Sequence, residues 1–212
     1  MSNYLDLYDY RQRVADLYRT RNSAILAHED DEAVLRQFRA SRDTLFATHS
    51  QSALDEEQRQ HFSGLHYFPY NPAMRFPVEI VDSPEHTRQM VTMSATETMT
   101  MLTLGHLHFS VATEPVTLSL YWLDIYGGGL FLPFRDATSP AESYGGGRYL
   151  FDTIKGSDFL FLSQGSERQR ILLDFNYAYN PSCAYNDAWM CPLAPVENRL
   201  TVSIRAGEMK YK

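Results

Sequence analysis

Lysine is scarce in this 212-residue chain: three of its 19 basic residues are Lys, and the net charge is −7. The acidic excess runs throughout, with 11 acidic and 8 basic residues up to Gly64 and 15 and 11 after it. A chain with no clustered positive charge repels phosphate backbones, so nucleic acid is not an expected partner. No basic amphipathic helix supports membrane binding. Cysteine is rarer still: two residues do not make a secreted disulfide framework. No apolar run reaches the roughly 20 residues that cross a bilayer. The most apolar stretch, 118–134, is broken by Asp124 and three glycines. The first residues carry Asp6 and Asp9 and no apolar core, unlike a signal peptide. These absences predict a cytoplasmic protein.

Aromatic residues are plentiful, at 13%, with 14 Tyr and 12 Phe. Such enrichment favours strands, where flat rings fit a half-buried pleated surface. The chain length suits one domain with enough core to fold without metal or disulfide. Its first part reads as helical. Leu7, Tyr10, Val14, Leu17 and Tyr18 recur at helical spacing, and a second stripe is Leu35, Phe38, Leu45 and Phe46. The run Glu29 to Glu32 suits the partial positive charge at a helix start. Asp55 and Gln58 fit a capping box for a short third helix that stops by Gly64.

Beyond Gly64 the period changes. Pro69, Pro72, Pro77 and Pro84 punctuate short extended pieces. Strands are predicted over 90–94, 98–104, 107–112, 116–124, 130–135, 148–152, 159–162, 170–177 and 200–205. Close spacing with no intervening helical pattern argues for antiparallel pairing. The expected fold is α+β: a helical segment over 1–64, then a β-rich body over 65–212 packed with it as one unit. That body is expected to be a mainly antiparallel sandwich or partly closed barrel. The segment Tyr126-Gly-Gly-Gly129 echoes Tyr144-Gly-Gly-Gly147, but two copies do not make a solenoid or propeller.

Long irregular strings in the chain carry a family resemblance. FLPFRDATSPAESYGGGRYLFDTIKG and LDFNYAYNPSCAYNDAWMCPLAPVENRL, followed by Ile204-Arg-Ala-Gly-Glu208, resemble signatures of the bacterial and archaeal family called domain of unknown function (DUF) 1684. RASRDTLFATHSQSALDEEQRQHF and FSGLHYFPYNPAMRF fit upstream, so the resemblance runs from about Arg36 to Glu208. It implies a one-domain prokaryotic protein and no reaction. Val196 stands where the family commonly has Pro, and His106 and His108 stand where other residues are frequent.

The leading candidate site lies on a predicted strand, Asp174 to Asn180. Alternation puts Asp174, Asn176 and Asn180 on one face and Phe175, Tyr177 and Tyr179 on the other. Polar groups beside rings can line a small-molecule pocket, with Asp174 as general base and Asn176 orienting a substrate. The competing reading has Asp174 and Asn180 tying off turns through backbone amides. Arg135, Asp136 and Arg148 form the second candidate. A buried charge must pair, so Arg148 joins Asp136 or Asp174, or its fork holds an anionic ligand. Tyr144 and Tyr179 are the expected aromatic lining.

The other motifs point to no cofactor. Neither glycine triplet is followed by Gly-Lys-Ser/Thr or a helical pattern, so bulges and turns explain them better than a phosphate cradle. Cys183 and Cys191 lack zinc or thioredoxin spacing, which leaves plain thiols, a disulfide or a metal as readings. Ser163 and Gly165-Ser166 lack the Gly-x-Ser-x-Gly elbow. Glu197-Asn198-Arg199 reads as a polar turn. The expected function is binding or processing of a small molecule, with no metal site. The alternative is a non-catalytic structural or protein-interaction module.

Overall fold

The computed structural model describes residues 2–93, 97–163 and 169–211. Ser94, at the end of one predicted strand, and Gly165-Ser166 lie outside them. Three helices lead: α1 (Ser2–Leu26), α2 (Asp31–Thr48) and α3 (Glu56–Gln60). Asp30 caps α2 through the amide of Ala33, and Asp31 and Glu32 fill its first turn. At α3, Asp55 and Gln58 form the expected capping box. No helix among the described residues is long and apolar enough to cross a membrane.

Among the described residues eight strands follow: β1 (Arg75–Asp82), β2 (Arg88–Thr92), β3 (Thr98–Val111), β4 (Glu114–Leu123), β5 (Gly129–Phe134), β6 (Arg148–Asp152), β7 (Leu160–Ser163) and β8 (Arg170–Asp174). All pair antiparallel in one sheet, in the order β6-β5-β4-β3-β1-β8-β7, with β2 added beside β3. The sheet curls into a half-barrel. Phe151 of β6 and Phe159, just before β7, stand 4.8 Å apart, so the two ends of the path meet through rings. The enclosed core includes Leu107, Leu118, Leu132, Phe134, Ile171 and Phe175, each fully buried. The expected α+β class is therefore correct, and a curled single sheet replaces the sandwich alternative.

Three local differences have physical causes. The predicted strands 98–104 and 107–112 are one strand with a bulge between Thr103 and Gly105. A Cβ at Gly105 would lie 2.6 Å from the carbonyl oxygen of Val81, so glycine permits this close approach. The strand β1 went unpredicted because Pro77 interrupts it. Residues 75–79 pair only with β8 and residues 80–82 with β3, so Pro77 sits where one edge is open. Finally, 200–205 forms no strand. Its backbone groups are taken by single partners: Leu200 donates to Arg135, Ala137 donates to Val202, and Ile204 donates to the Asp136 carboxylate.

The helices close one side of the half-barrel. Val14 and Tyr18 of α1 and Leu35, Phe38 and Leu45 of α2 are buried with Tyr177. Phe38 meets Tyr18 and Tyr177 edge to face at 5.1 and 4.9 Å, which joins the helical stripe to the turn after β8.

Candidate functional site

The predicted polar residues separate into two internally bonded clusters and one cavity. In the first cluster Arg148 of β6 is 1% exposed and Asp136 is 4% exposed. Arg148 pairs with Asp136, not Asp174, at 3.0 Å, and its fork also donates to the carbonyls of Ile204, Ala206 and Glu208. Burial pulls this guanidinium below its usual range even with Asp136 beside it. The second Asp136 oxygen accepts from the amides of Ile204 and Thr138. The pair thus stands in for a strand ladder and fastens the C-terminal segment to the sheet.

The second cluster forms where β8 ends. The predicted strand to Asn180 stops at Asp174, and Phe175–Tyr177 make a 3-10 turn, so simple alternation of faces fails there. Asp174 caps that turn. Its Oδ1 accepts from the Asn176 amide at 3.0 Å and the Asn176 side chain at 2.9 Å, and its Oδ2 lies 2.8 Å from Arg75 Nε. Burial raises the Asp174 pKa despite these partners. Asn176, 1% exposed, exchanges hydrogen bonds with the backbone of Asn71.

The third group lies in the seam between helices and half-barrel. Glu208, 1% exposed, receives Arg42 Nε at 2.7 Å, the Asn180 amide at 2.8 Å and the Tyr185 hydroxyl. The Arg42 guanidinium lies 4.7 Å from the Phe46 ring centroid and 5.1 Å from that of Tyr179. Beside it opens a cavity of about 60 Å³, room for several water-sized groups. Tyr10, Tyr18 and Arg42 line it from the helices; Asp152, Tyr179 and Asn180 line it from the body. Two lining residues carry buried atoms with no hydrogen-bond partner among the described residues, the Tyr18 hydroxyl and Asn180 Oδ1. Tyr179 is not so placed, since its hydroxyl meets Ser157 Oγ at 2.5 Å. Burial raises the Asp152 pKa and pushes that of Tyr18 up to about 12.

The remaining candidates sit elsewhere. Arg135 donates to Ser139 Oγ, which donates to the Tyr144 carbonyl. The Tyr144 hydroxyl contacts Cys183 Sγ at 3.5 Å. Cys183 and Cys191 are buried and not bridged, and the Cys183 amide donates to Cys191 Sγ at 3.4 Å. That thiol neighbour and burial push the Cys191 pKa up. His106 and His108 share a face, with rings 6.4 Å apart, and each meets a hydroxyl of β4. Among the described residues no three His, Cys, Asp or Glu side chains gather to hold a metal. The turn at 197–198 is built from inside: Asn198 bonds Ser119 and Pro133, and Glu197 accepts from the Tyr121 hydroxyl.

Sequence reasoning reached Tyr179 and Asn180 but missed Tyr18, Arg42 and Glu208. In the sequence Tyr18 stands only as part of a core stripe. Arg42 does carry a signal: it follows Phe38 by four residues and precedes Phe46 by four, an arginine in an apolar helix stripe.

No curated protein matches the chain. The solution structure of an uncharacterised protein of Haloarcula marismortui is similar, with TM-score 0.58 and 33% identity, covering 84% of this chain and 93% of that one. The family described as protein of unknown function (DUF1684) matches residues 60–209. That match spans more than half of the chain, and the Haloarcula protein shares a third of its residues, so the chain belongs to the DUF1684 family.

Proposed function

We propose that the protein binds a small polar molecule in the seam cavity between its helices and its half-barrel. One observation carries this reading: the Tyr18 hydroxyl and Asn180 Oδ1 are both buried, both lack partners among the described residues, and both belong to residues lining one cavity. A buried polar atom without a partner costs about 1–3 kcal/mol, so a fold that keeps two of them on residues lining one cavity is suited to an occupant. Of the residues first singled out, Asn180 and Tyr179 then contact the ligand. Arg135, Asp136, Tyr144, Arg148, Asp174 and Asn176 act as the frame that holds the segments bearing them. No reaction is assigned to the site.

Thermal shift against small carboxylates, amides and polyols tests the reading, since a ligand that binds only the folded chain raises its melting temperature. At least one class should raise it in the natural protein and less so in Tyr18→Phe. Asp174→Asn should change the starting melting temperature and leave the ligand-induced rise intact. A panel that moves nothing, or a Tyr18→Phe response equal to that of the natural protein, overturns it.

A further inference from the structure

Resting on that reading of the cavity, we propose that its ligand is a small hydroxycarboxylate, with the carboxylate on Arg42 and the hydroxyl on Asn180. An arginine fork offers one Nε and two Nη groups, and this fold fills its forks in different ways. Arg75 lies between two carboxylates, with Nε 2.8 Å from Asp174 Oδ2 as an ion pair and Nη1 bonded to Asp31. Arg148 spends both Nη groups on Asp136 and three backbone carbonyls. Arg42 is half filled: Nε reaches Glu208, and neither Nη group has a partner among the described residues. It is 7% exposed and lines the cavity. Two coplanar donors at the free end of a guanidinium match the two oxygens of a carboxylate. Arg75 demonstrates within this same chain that one guanidinium holds two carboxylates. The Phe46 and Tyr179 rings beside the Arg42 guanidinium set the direction of the fork before anything binds.

The orphaned atoms specify the rest of the molecule. The Tyr18 hydroxyl stays protonated at neutral pH and donates to a ligand oxygen. Asn180 Oδ1 only accepts, so the ligand brings a donor. A hydroxyl serves; an ammonium in its place would set a second positive charge close to Arg42. Lys155 lines the same cavity and is exposed, so it marks the side open to water, and it stands there with Asp152. The cavity of about 60 Å³ limits the body to a few carbons.

The test uses the full ¹⁵N-labelled chain titrated with lactate, propionate and lactamide, reading the Asn180 side-chain amide and the amides of Lys155 and Ser182. Lactate should move all three. Propionate lacks the hydroxyl and should bind about tenfold more weakly, because Asn180 is left unpaired. Lactamide lacks the charge and should also lose about tenfold. Arg42→Lys keeps a cation for Glu208 without the fork and should lose most of the lactate response. Tyr18→Phe leaves the ion pair untouched and should weaken lactate several-fold, so the idea remains testable if the arginine variant does not fold. Lactamide binding as well as lactate, or propionate as well as lactate, overturns this ligand class while leaving the cavity as a binding site. Silence from all three probes also overturns it, and silence from the wider thermal panel as well removes the cavity itself.

Discussion

Arg42 Nε on α2 lies 2.7 Å from Oε1 of Glu208, a residue 166 positions later in the chain, and both side chains are buried. Glu208 raises the pKa of Arg42 well above its ordinary value even though burial pulls the other way. Removing one member of such a pair strands the other charge, which costs about 3–5 kcal/mol. Arg42→Met should therefore lower urea stability by about that amount. The double variant Arg42→Met with Glu208→Gln should recover much of it, because no unpaired charge remains. A double variant as unstable as the sum of its parts would show that the two residues do not act as a pair.

Asn198 is fully buried and makes three hydrogen bonds: it accepts from the Ser119 amide at 2.7 Å and donates to the carbonyls of Ser119 and Pro133 at 2.9 and 2.8 Å. It thereby joins the turn at 196–198 to β4 and β5. Asn198→Ala leaves those backbone groups without it, and the expected loss is about 3 kcal/mol or more in chemical denaturation. A loss under about 1 kcal/mol would place the clamp elsewhere.

Asp152 is 3% exposed, and burial raises its pKa above the ordinary 3.8, although Lys155 and backbone amides oppose this. The folded chain therefore holds this proton to higher pH than the unfolded chain. The associated stability is present in full below about 3.8 and is lost as pH rises through the folded value. Asp152→Asn removes the titration. Its stability relative to the natural protein should be flat at low pH and then improve as pH rises above 3.8. A difference that stays flat, or worsens with pH, would contradict the burial argument.

The two glycine triplets should respond differently to the same change. Gly127 has φ +83° with no atom within 4 Å of a would-be Cβ, whereas Gly147 has φ +93° and a Cβ there would lie 2.6 Å from the Phe134 carbonyl oxygen. Gly127→Ala should cost about 1–2 kcal/mol, the penalty of a left-handed backbone alone. Gly147→Ala adds a backbone collision and should cost visibly more in melting temperature. Equal costs would mean that the sheet yields at β5.

Several features were legible in the residues because they are local. Asp55 and Gln58 are three positions apart and cap each other's turn, so the string alone specifies α3. The stripe of Leu35, Phe38, Leu45 and Phe46 repeats at helical spacing and is buried throughout. Antiparallel strands at short spacing followed from the turn residues between them. The aromatic content likewise anticipated a β-rich body.

What pattern reading lost is what depends on distant partners. The sequence determined the helices, most of the strands, their antiparallel sense and the family, because each rests on neighbours within one turn, one hairpin or one continuous string. Only the tertiary structure decided that 200–205 is held by Arg148 and Asp136 instead of a ladder. It alone decided that Asp174 answers Arg75, that Arg42 meets Glu208, and that Tyr18 and Asn180 share a cavity. Those contacts join residues far apart in the chain. Hydrogen-bond and charge geometry depends on positions in space that composition and periodicity do not encode.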